Sequence, residues 1–243
     1  MEWTEILNSA NSGDVDAMLQ LANGYLERRE INEAIKWADK AAEAGNVNGM
    51  YKAANLHSIR MTASKEMAMW GLVYEDCKAV QNNSGILIQM VRNGKLDIEK
   101  DIYSSLVELF RDGLYCEALY WYLGEKQDAR KASALLMDLN ETRESILCAQ
   151  CLFDQHEHDA AYKKLRMAAK DAAYANMDRV DQAVYSLGMM TLAGMERENG
   201  EYELAMAILQ QAIGKLNEDE FIQPLRNELG KYRKKLFGGW KYI

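Results

Sequence analysis

The sequence predicts an all-α protein, a right-handed α-solenoid of about six to seven antiparallel helix pairs with a C-terminal capping helix. Three observations predict this fold class. Apolar residues recur at helical spacing along the chain, and no run alternates with a period of two for long enough to form a convincing strand. The 243 residues include one proline, which argues against a turn-rich β fold. A repeat of about 34 residues would divide the chain into about seven units.

The predicted helices follow one another in pairs joined by short loops. We predict about fourteen helices in one continuous domain, residues 1–243, with 238–243 as a flexible or docking tail. The helices that can be placed span 14–29, 31–44, 48–62, 65–80, 84–91, 98–110, 116–123, 129–139, 144–153, 159–175, 179–195, 202–216 and 220–237. Gly45, Gly94 and Gly113 punctuate this series, because glycine accepts the left-handed turn after a helix without steric cost. Ser64 is a predicted N-cap, and Pro224 fits a first helical turn or marks a kink.

The charge of the chain excludes some classes of partner. Net charge is −8, and nucleic-acid binding draws most of its affinity from neutralising phosphate, so we predict no nucleic-acid partner. No window approaches about 20 apolar residues, and the first residues include acids where a secretory signal would carry lysines. These features predict a cytoplasmic protein with no membrane partner.

The basic end of the chain allows two interpretations. Five basic residues and no acid follow Leu229, so the rest of the chain carries about −13. One interpretation is a solvated last helix, since basic residues suit a helix C-terminus. The other is a tail that docks on an anionic surface or on another subunit, because Phe237, Trp240 and Tyr242 interleave with the charges. The second interpretation predicts a homo-oligomer formed through the C-terminal tail.

Two segments carry a resemblance to a known repeat family. The first reads Ala17-x3-Leu21-Ala22-x2-Tyr25, then Ala34-x2-Trp37-x2-Lys40-Ala41-Ala42-x2-Gly45. This ordered set resembles one unit of the Sel-one-like branch of the tetratricopeptide repeat family. Ala183-x3-Leu187-Gly188-x5-Gly194 is similar to its first half, and Ala205-x3-Leu209-x2-Ala212 resembles an ordinary tetratricopeptide second helix. The resemblance covers residues 14–60 and 158–216, and between them, over 64–127, only helix length and spacing persist.

The resemblance implies a superhelix whose first helices line a concave, peptide-binding side. Asn23 and Asn55 occupy matching places in the first two units, each directly after an alanine. In peptide-binding relatives an asparagine there holds the backbone or terminal carboxylate of a ligand, since an amide both donates and accepts hydrogen bonds. Lys52 and Arg60 lie about one turn away and would supply charge. A full carboxylate clamp also needs a lysine where this chain has Leu19, so the alternative is that Asn23 and Asn55 are ordinary surface residues.

Cys148, Cys151, His156 and His158 form a weak candidate set for a metal ion. Thiolates and imidazoles bind zinc, but common zinc fingers place about a dozen residues between their two ligand pairs. Cys148 and Cys151 are one helical turn apart, which favours two small core thiols. We therefore predict no metal and no cofactor.

No catalytic motif is present in the sequence. It contains no dinucleotide-binding glycine pattern, no phosphate-binding loop and no Gly-x-Ser-x-Gly element. We therefore predict a non-catalytic scaffold or adaptor that holds a peptide or protein segment in its concave groove. The alternative is a regulatory sensor whose solenoid binds a small peptide or a metal ion and changes shape.

Overall fold

A computed structural model of the chain describes residues 3–171, 174, 177–234 and 239–243. Over these residues the chain forms twelve helices and two short strands. The helices are α1 (Trp3–Asn11), α2 (Val15–Glu27), α3 (Ile31–Glu43), α4 (Val47–Glu66), α5 (Trp70–Arg92), α6 (Lys100–Leu123), α7 (Ala129–Leu136), α8 (Thr142–Asp154), α9 (His158–Ala169), α10 (Arg179–Glu198), α11 (Tyr202–Lys215) and α12 (Asp219–Leu229). The strands are β1 (Tyr232–Lys234) and β2 (Trp240–Tyr242). The predicted all-α solenoid of paired helices is confirmed.

The chain divides into two compact units, Met1–Tyr120 and Trp121–Ile243. In the first unit α2 packs on α3, α3 on α4 and α4 on α5. In the second, α8 packs on α7, α9 and α10, and α10 also packs on α11 and α12. The organisation of residues 1–243 as a single continuous domain stays a prediction.

Side-chain caps and small residues set the first pairs. Asp14 accepts hydrogen bonds from the backbone of Asp16 and Ala17 and so begins α2, and Asn46 accepts one from Gly49 and begins α4. The alanines of α3 form the close surface, because a Cβ on Gly49 would lie 2.6–2.8 Å from atoms of Ala41 and Ala42. Small residues on both helices therefore let α3 and α4 approach closely.

The predicted breaks in the middle of the chain were wrong. Helix α5 runs unbroken where we predicted two helices, 65–80 and 84–91. Its polar residues stay inside the helix because Asn83 donates to the carbonyl of Ala79 and Ser84 donates to that of Val80. Ser64, the predicted N-cap, is buried inside α4, and the chain turns instead at Ala68, whose φ is +55°. No turn residue marks that position in the sequence.

Helix α6 joins two further segments that we predicted to be separate, 98–110 and 116–123. Gly113 lies inside it and does not end it. A Cβ at Gly113 would lie 2.9 Å from Cγ of Gln81 and 3.2 Å from the carbonyl oxygen of Cys77, so the close approach of α5 favours glycine there. The sequence does not distinguish a glycine that allows close helix packing from a glycine that ends a helix.

The C-terminal end also differs from the prediction. The last helix ends at Leu229, and Pro224 lies within it, beyond the first turn. Strands β1 and β2 then pair antiparallel, with Arg233 opposite Lys241. Strands of three residues are too short for alternation to show in the sequence. The described residues leave out 235–238, which belong to the predicted 220–237 helix and the predicted 238–243 tail. They also leave out 172, 173 and 175, which belong to the predicted 159–175 helix.

Candidate functional site

The predicted peptide-binding residues lie on two helices of the first unit. Asn23 is exposed on α2, and Lys52 and Asn55 are half-buried on α4, one turn apart. The side chains of Asn23 and Lys52 have no hydrogen-bond or ion-pair partner among the described residues. Asn55 donates its amide Nδ2 to the carbonyl oxygen of Tyr51 (2.8 Å), which leaves its side-chain oxygen as an acceptor. No hydrogen bond joins the side chains of Asn23 and Asn55 in the described part of the chain.

Arg60 is turned away from this surface and toward helix α5. Its Nε lies 3.2 and 3.0 Å from the two carboxylate oxygens of Asp76, and its Nη2 lies 2.7 Å from Oδ1. Its Nη1 donates to Asn32 of α3 at 2.8 Å. The guanidinium that we expected to supply charge to a ligand is thus committed to the packing of α3, α4 and α5. The physical reason is Asp76, a fully buried carboxylate that needs a cationic partner.

His57 joins the same cluster and connects three helices. Its Nδ1 donates to Oδ1 of Asp76 on α5 at 2.6 Å, and its Nε2 donates to the carboxylate of Asp39 on α3 at 3.1 and 3.2 Å. The residue is 7% exposed. We call the four residues Asp39, His57, Arg60 and Asp76 the buried ion cluster.

The cluster favours the charged forms of His57 and Asp76. Burial by itself would lower the pKa of His57, but the hydrogen bonds that His57 donates to Asp39 and Asp76, together with the negative charges of these two residues, outweigh burial and raise the pKa to about 9. Burial likewise opposes ionisation of Asp76, yet hydrogen bonds from His57 and Arg60 keep the pKa of Asp76 below its usual value. His57 is therefore an imidazolium at neutral pH, with both ring nitrogens donating.

We expect alkaline pH to destabilise the protein through His57. Its folded pKa of about 9 exceeds the ordinary value of 6.5, so its stabilising contribution is complete below about pH 6.5 and is lost as the pH rises through about 9. Melting temperature measured by circular dichroism from pH 6 to pH 10 should fall through that interval, and His57→Gln should flatten the fall. Burial also raises the thiol pKa of Cys77, Cys148 and Cys151, so these thiols cause a further loss of stability above about pH 9. This further loss should occur in His57→Gln as well. An equally steep fall from pH 6.5 to pH 9 in His57→Gln would contradict the assignment.

A cleft opens beside the buried ion cluster, between α3, α4 and α5. It has a volume of about 420 Å³. Its apolar lining consists of Ala42, Met50, Ala79 and Ile86, and its polar lining consists of Asp39, Glu43, His57, Asn82 and Asn83. We call it the acidic cleft. Neither the cleft nor the cluster was predicted from the sequence, although one signal was available: Asp76 stands one turn from Val73 and Val80, on the apolar face of α5.

The weak candidate set for a metal ion is split between the core and the surface. Cys148 and Cys151 are fully buried, and the Sγ of Cys148 points to the carbonyl oxygen of Ser133 at 3.8 Å. His156 and His158 are exposed, with their ring centroids 6.0 Å apart, and His158 packs edge-on against Phe153. Among the described residues, no three His, Cys, Asp or Glu side chains are grouped as a metal ion would require. Burial raises the thiol pKa values of both cysteines, which disfavours the thiolate form that binds metal.

The C-terminal strands pack on their own chain. The rings of Tyr232 and Tyr242 meet edge to face at 5.4 Å, and the Arg197 guanidinium lies 4.2 Å from the ring centroid of Tyr242. Residues 240–242 therefore have a partner within their own chain. Docking of the C-terminal tail on a second subunit stays a prediction. Within the described part of the chain, no helix is both long enough and apolar enough to cross a membrane.

Comparison with solved structures places this architecture in a known fold. The chain is similar to the structure described as "YrrB: a TPR protein with an unusual peptide-binding site", with a TM-score of 0.50 over 93% of this chain and 98% of that one. The fold is that of a tetratricopeptide-repeat solenoid. The two sequences are 14% identical, so the similarity shows the fold alone. No protein-family model matches the sequence, and no curated protein matches it. Membership of the Sel-one-like branch stays a prediction.

Proposed function

We propose that the protein is a non-catalytic interaction scaffold that binds a peptide or protein segment along α2 and α4, the first helices of the two N-terminal pairs. The observation that carries the proposal is a polar surface with unused hydrogen-bonding groups. Asn23 and Lys52 have no partner among the described residues, and Asn55 retains a free side-chain oxygen. Ile59 lies one turn beyond Asn55 and is 55% exposed. The similarity to a peptide-binding solenoid of the same fold supports the proposal by analogy.

These groups suit an extended segment. A backbone amide of a bound peptide would donate to Asn55, and Asn23 offers both a donor and an acceptor in the preceding repeat. Lys52 would attract a carboxylate of the ligand, and Ile59 would contact an apolar side chain. The net charge of −8 favours a protein partner over a nucleic acid.

Two features of the described residues support a non-catalytic role. The strongly buried acid Asp76 is neutralised by His57 and Arg60, so it is not poised to exchange protons with a substrate. All four cysteines are buried, and burial raises the thiol pKa of three of them, so they are poor nucleophiles.

The proposal predicts that the double variant Asn23→Ala/Asn55→Ala loses affinity for peptides selected on the native protein. Peptides would be selected from a random display library and their dissociation constants measured by fluorescence polarisation. Loss of two net hydrogen bonds at about 1 kcal/mol each should weaken binding by roughly tenfold or more. Asn8→Ala, an exposed asparagine on α1, is the matched control and should change affinity less than twofold, as expected of a surface substitution outside the site.

Equal affinity of the native protein and the double variant for every selected peptide would rule out the α2–α4 surface. Failure to select any peptide would contradict the scaffold proposal and favour the sensor alternative. Binding of small ligands to the same protein would then test that alternative.

A further inference from the structure

We propose that the acidic cleft between α3, α4 and α5 is a second binding site, and that it receives an arginine side chain from a peptide segment of a partner protein. The cleft lies on the side of α4 that faces α3 and α5, whereas Lys52 and Asn55 lie on another face of that helix. The inference therefore concerns a different surface from the proposed function and does not depend on Asn23 or Asn55.

The polar lining of the cleft offers a ligand more hydrogen-bond acceptors than donors. His57 is the one cationic group among the lining residues, and both of its ring nitrogens are already engaged by Asp39 and Asp76. Glu43 is exposed at the cleft and has no partner among the described residues. The unused polar atoms are therefore mainly acceptors, and a ligand that fits them must be rich in donors.

Asn83 gives a second and independent indication of a ligand. It is 8% exposed, and its Nδ2 is engaged by the carbonyl oxygen of Ala79 at 3.1 Å. Its side-chain oxygen accepts no hydrogen bond from a described residue. The oxygen nevertheless has access to solvent, because it is not one of the fully buried polar atoms that lack a partner. Because Asn83 lines the cleft and its Nδ2 is already engaged, this accessible oxygen is available there as an acceptor.

The charge and the apolar walls define the ligand further. Asp39, Glu43 and Asp76 carry three negative charges, and His57 and Arg60 carry two positive ones, so the cleft and the cluster beneath it retain one negative charge. Met50 and Ile86 provide apolar walls. A cationic head on an aliphatic stem matches this combination, because the stem packs on the walls while the head reaches the acceptors.

Arginine fits the acceptors better than lysine. The guanidinium is planar and presents five N–H donors in a fixed fork, whereas the ammonium of lysine is a compact point charge. The acceptors come from separate helices: Asp39 and Glu43 from α3, and Asn83 from α5. A forked donor can bridge the two helices, and it is also more weakly hydrated, so it enters a partly buried cleft at lower cost.

The test uses the full-length protein and a capped five-residue peptide with one arginine between two leucines. Because the peptide ends are neutral, the guanidinium is its only charge. Binding would be measured at about 0.15 M salt, where separated surface charges are largely screened. We expect the side-chain amide NMR signals of Asn82 and Asn83 to shift on binding. We also expect Glu43→Gln to weaken the affinity by about five- to tenfold, because the glutamine oxygen still accepts and only the charge assistance of the hydrogen bond is lost.

Three controls decide the outcome. The same peptide with citrulline, which is neutral and nearly the same shape, should not bind measurably. Glu99→Gln removes an exposed acid of the first unit outside the cleft and should leave the affinity within twofold of native. Asn23→Ala/Asn55→Ala should also leave it unchanged, which separates this site from the α2–α4 surface.

Several results would overturn the proposal. Equal losses in Glu43→Gln and Glu99→Gln would reduce the interaction to general charge attraction. Comparable binding of the citrulline peptide would remove arginine as the determinant. Shifts at Asn23 and Asn55 in place of Asn82 and Asn83 would assign the peptide to the surface of the proposed function and leave the cleft without a ligand.

Discussion

Asp76→Asn is expected to lower the free energy of unfolding by about 3 kcal/mol, toward the low end of what removing one partner from a buried ion pair costs. Asp76 is fully buried and bonded to both His57 and Arg60. An asparagine of the same shape places an NH₂ donor where these two donors need an acceptor, and it removes the buried negative charge that both of them face. The cost stays at the low end because His57 can lose its proton once the carboxylate is gone.

The measurement is denaturant unfolding at pH 7, followed by circular dichroism. Asp97→Asn, an exposed acid in the same unit, is the control and should change stability by less than about 0.5 kcal/mol. The double variant with His57→Gln should cost less than the two single variants added together, because both remove the same hydrogen bond. Full additivity would show that His57 and Asp76 are not energetically coupled.

Gly49→Ala is expected to destabilise the protein by about 2 kcal/mol, within the range for overpacking a well-packed interface. The added methyl group would lie 2.6 Å from the carbonyl carbon of Ala41 and 2.7 Å from the backbone nitrogen of Ala42. Backbone atoms of a helix cannot rotate aside as a flexible side chain can. Helices α3 and α4 must therefore separate, which also loosens the packing that holds His57 against Asp39.

Gly194→Ala is the matched control for this prediction. Gly194 also lies within a helix, α10, but a Cβ there would meet no atom within 4 Å. Because alanine is the better helix former, this variant should be more stable by about 0.5–1 kcal/mol. Opposite signs for the two variants in thermal unfolding would distinguish the close approach at Gly49 from general helix propensity. Two stabilised variants would mean that α3 and α4 tolerate the methyl group.

The paired helices at both ends of the chain could be predicted because their signals are local. Ala34, Ala38 and Ala41 recur at helical spacing and are all buried in α3. The middle could not be predicted in the same way. Gly113 lies where two helices approach closely, although glycine suggests a turn. Ala68 lies at a turn, although alanine suggests the interior of a helix. Which role a small residue has depends on what packs against it, and that partner is distant in sequence.

The same difference between local signals and distant partners decides which residues of the candidate sites could be predicted. Asn23, Lys52 and Asn55 could be proposed because a repeat motif assigns them matching places, and the structure leaves groups on all three unused. Arg60 could not be distinguished from Lys52 by sequence, since both are cations on α4. Only the buried carboxylate of Asp76, 16 residues away on the next helix, determines that Arg60 packs inward.

The amino-acid sequence by itself determined the helical pairs at both ends of the chain and the alanine surface of α3 on which α4 packs. Periodicity and residue size act between neighbours a few positions apart, so they can be read along the chain. Only the tertiary structure decided the buried ion cluster and the acidic cleft. His57 meets Asp39 and Asp76 at separations of 18 and 19 residues, through two different helices. The charge state of the cluster and the shape of the cleft follow from that packing, because burial and proximity set the pKa and the open volume, and neither is encoded in sequence spacing.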